Sequence, residues 1–134
     1  MISLHLVPRE NITMVWPLVI GLLKPSVDRN HGSMNERDLY EAVISGDEQL
    51  WAGSDGAKVE LALTTKIVQY PRNRSLLLHN IGGANLSEYL SFLKDIESWG
   101  KENDCDFVEI YGRKGWAKIL KGWDAPIVLL RKKL

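Results

Sequence analysis

The chain predicts a mixed α/β fold of the α+β kind, with a mostly antiparallel central sheet flanked by helices. Three observations lead there. Apolar residues recur at helical spacing in the segments that follow residues 11, 33 and 85, and strand-like runs rich in β-branched and apolar residues separate them. The run Leu76, Leu77, Leu78 passes through Gly82 and Gly83 straight into an amphipathic stretch, in which Leu86, Tyr89, Leu90, Leu93 and Ile96 repeat at helical spacing. The predicted order is strand, helix, helix, three antiparallel strands, helix, strand, helix, strand, in a single domain over residues 1–134.

In the opening MISLHLVPRE, Ile2, Leu4 and Leu6 share one strand face, and Pro8 stops the strand. Asn11 is placed to cap a helix over about residues 12–24, which Pro17 either kinks or begins. KPSVDRNHG, residues 24–32, reads as an irregular loop. Ser33 and Glu36 have capping-box spacing and open a helix that carries Leu39, Val43 and Ile44 and ends near Gly46.

The period then changes to that of strands. Residues 49–52 form a short strand, GSDG a hairpin turn, and residues 58–70 a long β-branched strand. Pro71 and Asn73 turn the chain into the leucine strand. After the long helix, residues 106–112 alternate, Val108 and Ile110 facing one way and Phe107, Glu109 and Tyr111 the other. A short helix over about 115–121 and a last strand, APIVLLRKKL, complete the order.

Composition narrows the function classes. A chain of 134 residues, 45% hydrophobic and 25% charged, can bury a real core and has no signature of disorder. Its formal net charge of zero gives no general attraction to nucleic acid or an anionic membrane, and suits association with other proteins. Cys105 is alone, so neither a disulfide framework nor a thiolate metal cage is expected, and His5, His31 and His79 have no metal-ligand spacing. The longest apolar candidate, residues 15–23, is broken by Pro17 and Gly21, so no membrane span is expected, and the first ten residues lack a signal-peptide pattern.

The strand-to-helix junction at Gly82 and Gly83 is where such a fold would hold an anion or a cofactor, since amides at a helix start point outward. The bland alternative is a turn packed against the sheet. The order of elements resembles the GNAT superfamily of acyl-CoA-dependent N-acyltransferases over nearly the whole chain. In that family a central strand leads into a turn of pattern Q/R-x-x-G-x-G/A that binds the coenzyme A pyrophosphate. The matching stretch is HNIGGANLSEY: Gly82 and Ala84 take the last two places, His79 stands where glutamine or arginine opens the pattern, and Asn85 or Ser87 is placed to cap the helix. The resemblance implies a coenzyme site at Ile81, Gly82, Gly83, Ala84 and Asn85.

Family enzymes also carry an A-x-x-x-Y-x-x-x-G-F-like stretch whose tyrosine can protonate the departing thiolate. In GWAKILKGWDAP, Gly122 and Trp123 match the Gly-Phe pair and Lys118 stands in the tyrosine's place. Tyr111 is the nearest phenol that could substitute. Glu109, on a strand beside the expected cleft, is either a general base or a solvated carboxylate, and His79 is either catalytic or a hydrogen-bonded core histidine. Arg72 and Arg74 at one turn, and Arg113, Lys114, Lys118 and Lys121 after the next strand, are expected to border one end of the sheet. There they hold phosphates of coenzyme A or a nucleic-acid backbone, or are simply a solvated surface. Of the five tryptophans, most are expected to anchor the core, and an exposed Trp116 or Trp123 would mark a protein-binding surface.

A narrower resemblance rests on IVQYPR, LLLHNIGG, VEIYGRKGWAKIL and the final LRKKL. These look like small degenerate GNAT-like proteins encoded by tailed bacteriophages. That resemblance implies a virion-associated structural or internal core protein without turnover and with no cofactor, placed in the virion or the host cytoplasm. Its partners would be other virion proteins or further copies of the chain. The alternative is an acetyl-CoA-dependent N-acetyltransferase of unknown amine substrate.

Overall fold

Five strands form one sheet in sequence order: β1 (Ser3–Leu6), β2 (Glu48–Ser54), β3 (Val59–Gln69), β4 (Arg74–Gly83) and β5 (Phe107–Ile110). The first four are antiparallel neighbours, and β5 joins parallel to β4 through Ser75↔Phe107 to Leu78↔Ile110. The helices are α1 (Ile12–Asp28), α2 (Glu36–Ser45), α3 (Leu86–Tyr89), α4 (Leu93–Glu102) and α5 (Gly115–Ile119). This computed structural model describes residues 1–29, 32–111 and 115–134, without the side chain of Ala117; expectations about His31, Arg113 and Lys114 lie outside the described residues.

The alternation along each strand loads both faces of the sheet. One face carries Trp51, Leu61, Leu63, Leu76 and Leu78 against Tyr89 and Ile96. The other carries Leu50 and Ala62 against Val19, Leu23 and Val27 of α1 and Leu39 and Val43 of α2. Trp51 is buried, donates its indole N–H to Thr65 Oγ1 at 3.0 Å, and packs edge-on against Trp99. Trp16 meets Tyr40 in the same manner. Trp116 and Trp123 are half-buried.

Several boundaries differ from the sequence expectation. The first helix runs through 24–28, because the buried row Val19, Leu23, Val27 continues its apolar stripe past Lys24 and Pro25. Asn11 does not cap it: the chain enters through a 3-10 turn at Arg9–Asn11, and Asn11 is already helical, with φ −99° and ψ −5°. The capping box is Asn35 with Asp38, not Ser33 with Glu36. Asn35 Oδ1 accepts from the Asp38 amide at 2.9 Å, and Asp38 Oδ2 accepts from the Asn35 amide at 3.0 Å.

The helix after the glycines is broken. α3 has four residues and gives way to a 3-10 turn, Leu90–Phe92, before α4 begins. Finally, residues 124–134 form no strand, and Ile127, Val128, Leu129 and Leu130 stand in solvent. A strand-like pattern becomes a strand only when it pairs, and this segment pairs with no strand among the described residues.

Candidate active site

A β-bulge sets the site. Thr64 pairs with Asn80 and Thr65 with Leu78, so His79 is the extra residue of β4. An extra residue shifts the alternation, and His79 turns toward the α1/α2 face, where Glu48 projects from the start of β2. His79 Nδ1 lies 2.9 Å from Glu48 Oε1. The Glu48 side chain is only 2% exposed and that of His79 19%, so the carboxylate is sealed behind an imidazole that reaches solvent. An ionised carboxylate only accepts, so Nδ1 carries the proton and Nε2 is left as the basic nitrogen. A buried carboxylate so placed holds the ring's orientation and tautomer.

A buried polar cluster fixes the bulge beside it. Asn80 is fully buried, its Oδ1 accepts from Ser26 Oγ of α1 at 2.9 Å, and its Nδ2 donates to Thr64 Oγ1 at 3.3 Å. Sequence reading singled out His79 but missed Glu48, Asn80 and Ser26. A signal for Glu48 was present, because 48, 50 and 52 share one strand face and the other two are the apolar Leu50 and Ala52.

Glu109 and Tyr111 form a second group, one strand over. Glu109 sits opposite Leu77, two residues before His79 on β4. Its Oε1 accepts from the Tyr70 hydroxyl at 3.4 Å. The Tyr70 phenol is pushed up to about 12, first by its hydrogen bond with Tyr111, then by desolvation and the Glu109 charge. Tyr111 is itself exposed. The grouping joins a carboxylate to two phenols, with Tyr70 the member that sequence reading missed.

The glycine end of β4 differs from the cradle the sequence suggests. Residues 80–83 continue the ladder with β3 as far as Leu61↔Gly83, and the Ala84 amide donates to the Glu60 carbonyl at 2.9 Å. Antiparallel alternation then turns the amides of Gly82 and Ala84 toward β3 and those of Ile81 and Gly83 away from it. Among the described residues no strand pairs with β4 beyond Leu78, so Ile81 and Gly83 offer free backbone groups along an open edge.

Gly82 has a structural duty besides. A Cβ there would run into the Leu22 carbonyl of α1, so a bulky residue at 82 disturbs the fold rather than only a ligand. Asn85, with φ 58°, makes no side-chain cap; its Nδ2 donates to Glu60 Oε2 at 3.2 Å. The other oxygen of Glu60 accepts from the Tyr89 hydroxyl at 2.7 Å. Burial, and then this bond, push the Tyr89 phenol well above its ordinary range.

For coenzyme A the fit is divided. The free groups of Ile81 and Gly83 suit the amide-bearing thioester arm, whereas the turn, with inward amides and a buried carboxylate beneath it, forms no diphosphate cradle. The apolar cleft beside the edge, bounded by Ile81, Leu86, Leu90, Ile110 and Trp116, leaves about 20 Å³, room for one water. Arg72 and Arg74 do not join Lys118 and Lys121 at one end of the sheet. Arg74 starts β4 at the end away from Gly83, and because β5 is parallel, the chain leaves β5 at the opposite end from Arg72 and Arg74. Among the described residues no three His, Cys, Asp or Glu side chains converge as a metal site requires, and no helix is long and apolar enough to cross a membrane.

Solved structures superpose on this sheet-and-helix arrangement over nearly their whole length. An aminoglycoside acetyltransferase from an uncultured soil metagenomic sample, in complex with sisomicin, superposes with a TM-score of 0.71 at 11% identity, covering 99% of this chain and 96% of that one. The fold is that of the GNAT acetyltransferases. A predicted acetyltransferase of Clostridium acetobutylicum with acetyl-CoA gives 0.70 at 11% identity, covering 99% and 96%. A GNAT family acetyltransferase of Staphylococcus aureus gives 0.66 at 13%, covering 99% and 98%. No protein-family model and no curated protein matches the sequence.

Proposed function

We propose that this GNAT-fold chain is an acyltransferase that moves an acyl group from a thioester to an amine, with His79 as the general base. The observation that carries the reading is the His79–Glu48 pair, at the bulge where β4 opens. Acyl transfer requires a neutral amine, and an imidazole whose Nδ1–H is fixed on a buried carboxylate presents Nε2 to take the amine's proton. Acetyl-CoA, present in one structure of this fold, would supply the activated acyl group. The backbone of Ile81 and Gly83 would hold its arm, with side chains beside the edge yielding room. Glu109, Tyr70 and Tyr111 border the same face and would meet the acceptor.

The experiment is release of free thiol from acetyl-CoA with a panel of primary amines, comparing the native chain with His79→Gln. Loss of about 100-fold or more in turnover by a variant that keeps its circular dichroism is the expected result. Equal turnover by the two would remove His79 from the chemistry.

One observation favours the other reading, a non-catalytic structural part of a phage virion. The closed turn over Glu60 holds the Gly82 and Ala84 amides against β3, away from a coenzyme diphosphate. Thiol release from none of the amines, together with the protein's presence in purified particles, would support that reading instead.

A further inference from the structure

Lys66 is the only lysine within a strand among the described residues, and the sheet register sets its surroundings. It pairs with Glu48 of β2 on one side and with Leu77 of β4 on the other. Cross-strand partners send their side chains to the same face, so Lys66 shares the α1/α2 face with Glu48. His79, two residues past Leu77, turns to that face through its bond with Glu48. Lys66 and His79 are therefore diagonal neighbours, which lie roughly 7–8 Å apart at the backbone, within reach of a long side chain.

A lysine directly opposite a glutamate ordinarily takes it as an ion-pair partner. Here the Glu48 carboxylate is bonded to His79 instead, and Lys66 has no ion pair among the described residues. The six residues before it on β3, from Glu60 to Thr65, are buried, and Lys66 is the first to stand in solvent. An unpaired primary amine thus emerges beside the imidazole whose Nε2 is free to accept a proton. The other described lysines lie on helices, in the β2–β3 turn or beyond α5, and none shares this face of the sheet with His79 as a strand neighbour.

We propose that Lys66 is itself an acceptor, and that the chain transfers one acetyl group from acetyl-CoA to its own Lys66 Nζ. The step rests on His79 acting as the general base of acyl transfer. The Lys66 ammonium gives one proton to His79 Nε2, which releases it to solvent. The neutral amine then attacks the thioester carbonyl carbon; the C–N bond forms, the C–S bond breaks, and a second amine proton goes to the departing thiolate. A flexible four-carbon stem lets Nζ approach the base from the diagonal position. Because the amine is tethered, it reacts as part of the same molecule and has the advantage of proximity over free amines. The product is an uncharged amide, so the step occurs once per chain.

The test is intact-mass and peptide mass spectrometry of the native chain after incubation with acetyl-CoA alone, over a range of protein concentrations. Thiol release to added primary amines is measured on the same preparation. One acetyl group per chain, placed on Lys66, is expected to appear at a rate independent of protein concentration. His79→Gln with unchanged circular dichroism should slow that rate about 100-fold, and Lys66→Arg should abolish the addition. Equal rates in the native and His79→Gln chains, or label spread evenly over Lys58 and the helix lysines, would reduce the reaction to the ordinary reactivity of a thioester and overturn the proposal. Thiol release to added amines with no label on Lys66 would overturn the proposal alone and leave the acyltransferase reading standing. Absence of both would overturn the two together.

Discussion

Glu48 and Glu60 are both buried in the sheet beside a β-bulge, Glu48 bonded to an imidazole and Glu60 to a phenol and an amide. Glu60 is itself the extra residue of β3, because Gly53 pairs with Leu61 and Ser54 with Val59. The comparison shows how a partner decides what a buried carboxylate can do. The Tyr89 hydroxyl and the Asn85 amide both donate to Glu60, so its two oxygens are satisfied by hydrogen bonds and it closes the β4–α3 turn. The imidazole of His79 has one nitrogen bonded to Glu48 and carries that bond toward its solvent side. One bulge therefore locks the turn and the other leaves a polar ring facing solvent.

Breaking the reactive pair should have the largest effect. In Glu48→Gln the amide no longer requires a proton on Nδ1, so turnover in the thiol-release assay should fall about 100-fold. The urea midpoint should move little; a matching loss of stability would make Glu48 a second structural carboxylate and erase the contrast. Glu60→Ala should show the reverse. Tyr89 and Asn85 lose a charged hydrogen-bond partner, and we expect about 2 kcal/mol less stability by urea denaturation, with turnover per folded molecule unchanged.

The smallest effect concerns Tyr70, whose phenol is raised from 10.0 to about 12 by Tyr111, desolvation and Glu109. Between those values the unfolded chain has lost a proton that the folded chain keeps. The folded state then binds more protons, so this contribution to stability is intact below pH 10 and is lost as pH rises toward 12. In a tyrosinate absorbance titration Tyr111→Phe should bring one late-ionising phenol earlier; an unchanged curve would show that Tyr111 does not hold Tyr70.

Much of the fold is written in local pattern. The buried rows Val19, Leu23, Val27 and Leu39, Val43 have helical spacing, and the leucines of β4 with the alternation of β3 specify strands, so order and type of elements follow from nearest neighbours in sequence. Errors fell at ends. Asn11 and Ser33 are the expected caps, but the chain enters the first helix through a 3-10 turn that makes Asn11 helical, and extended backbone at Asn35 moves the second cap there from Ser33. The site was half legible: His79 stood out as a lone histidine before a glycine turn, and Glu109 and Tyr111 as polar residues on a strand.

What the tertiary structure decided is every relation across long loops. Glu48 lies 31 residues from His79, and Glu60 lies 25 from Asn85 and 29 from Tyr89. Sequence patterning determined which residues are apolar, which of the main segments become helix or strand, and that Gly82 and Gly83 stand between a strand and a helix. The register shift at His79, the inward amides of Gly82 and Ala84, the parallel entry of β5 and the undocked residues 124–134 belong to pairing alone. Side-chain periodicity tells a strand which faces it has, but only the neighbouring strand determines which residue is left over at a bulge and which edge stays open.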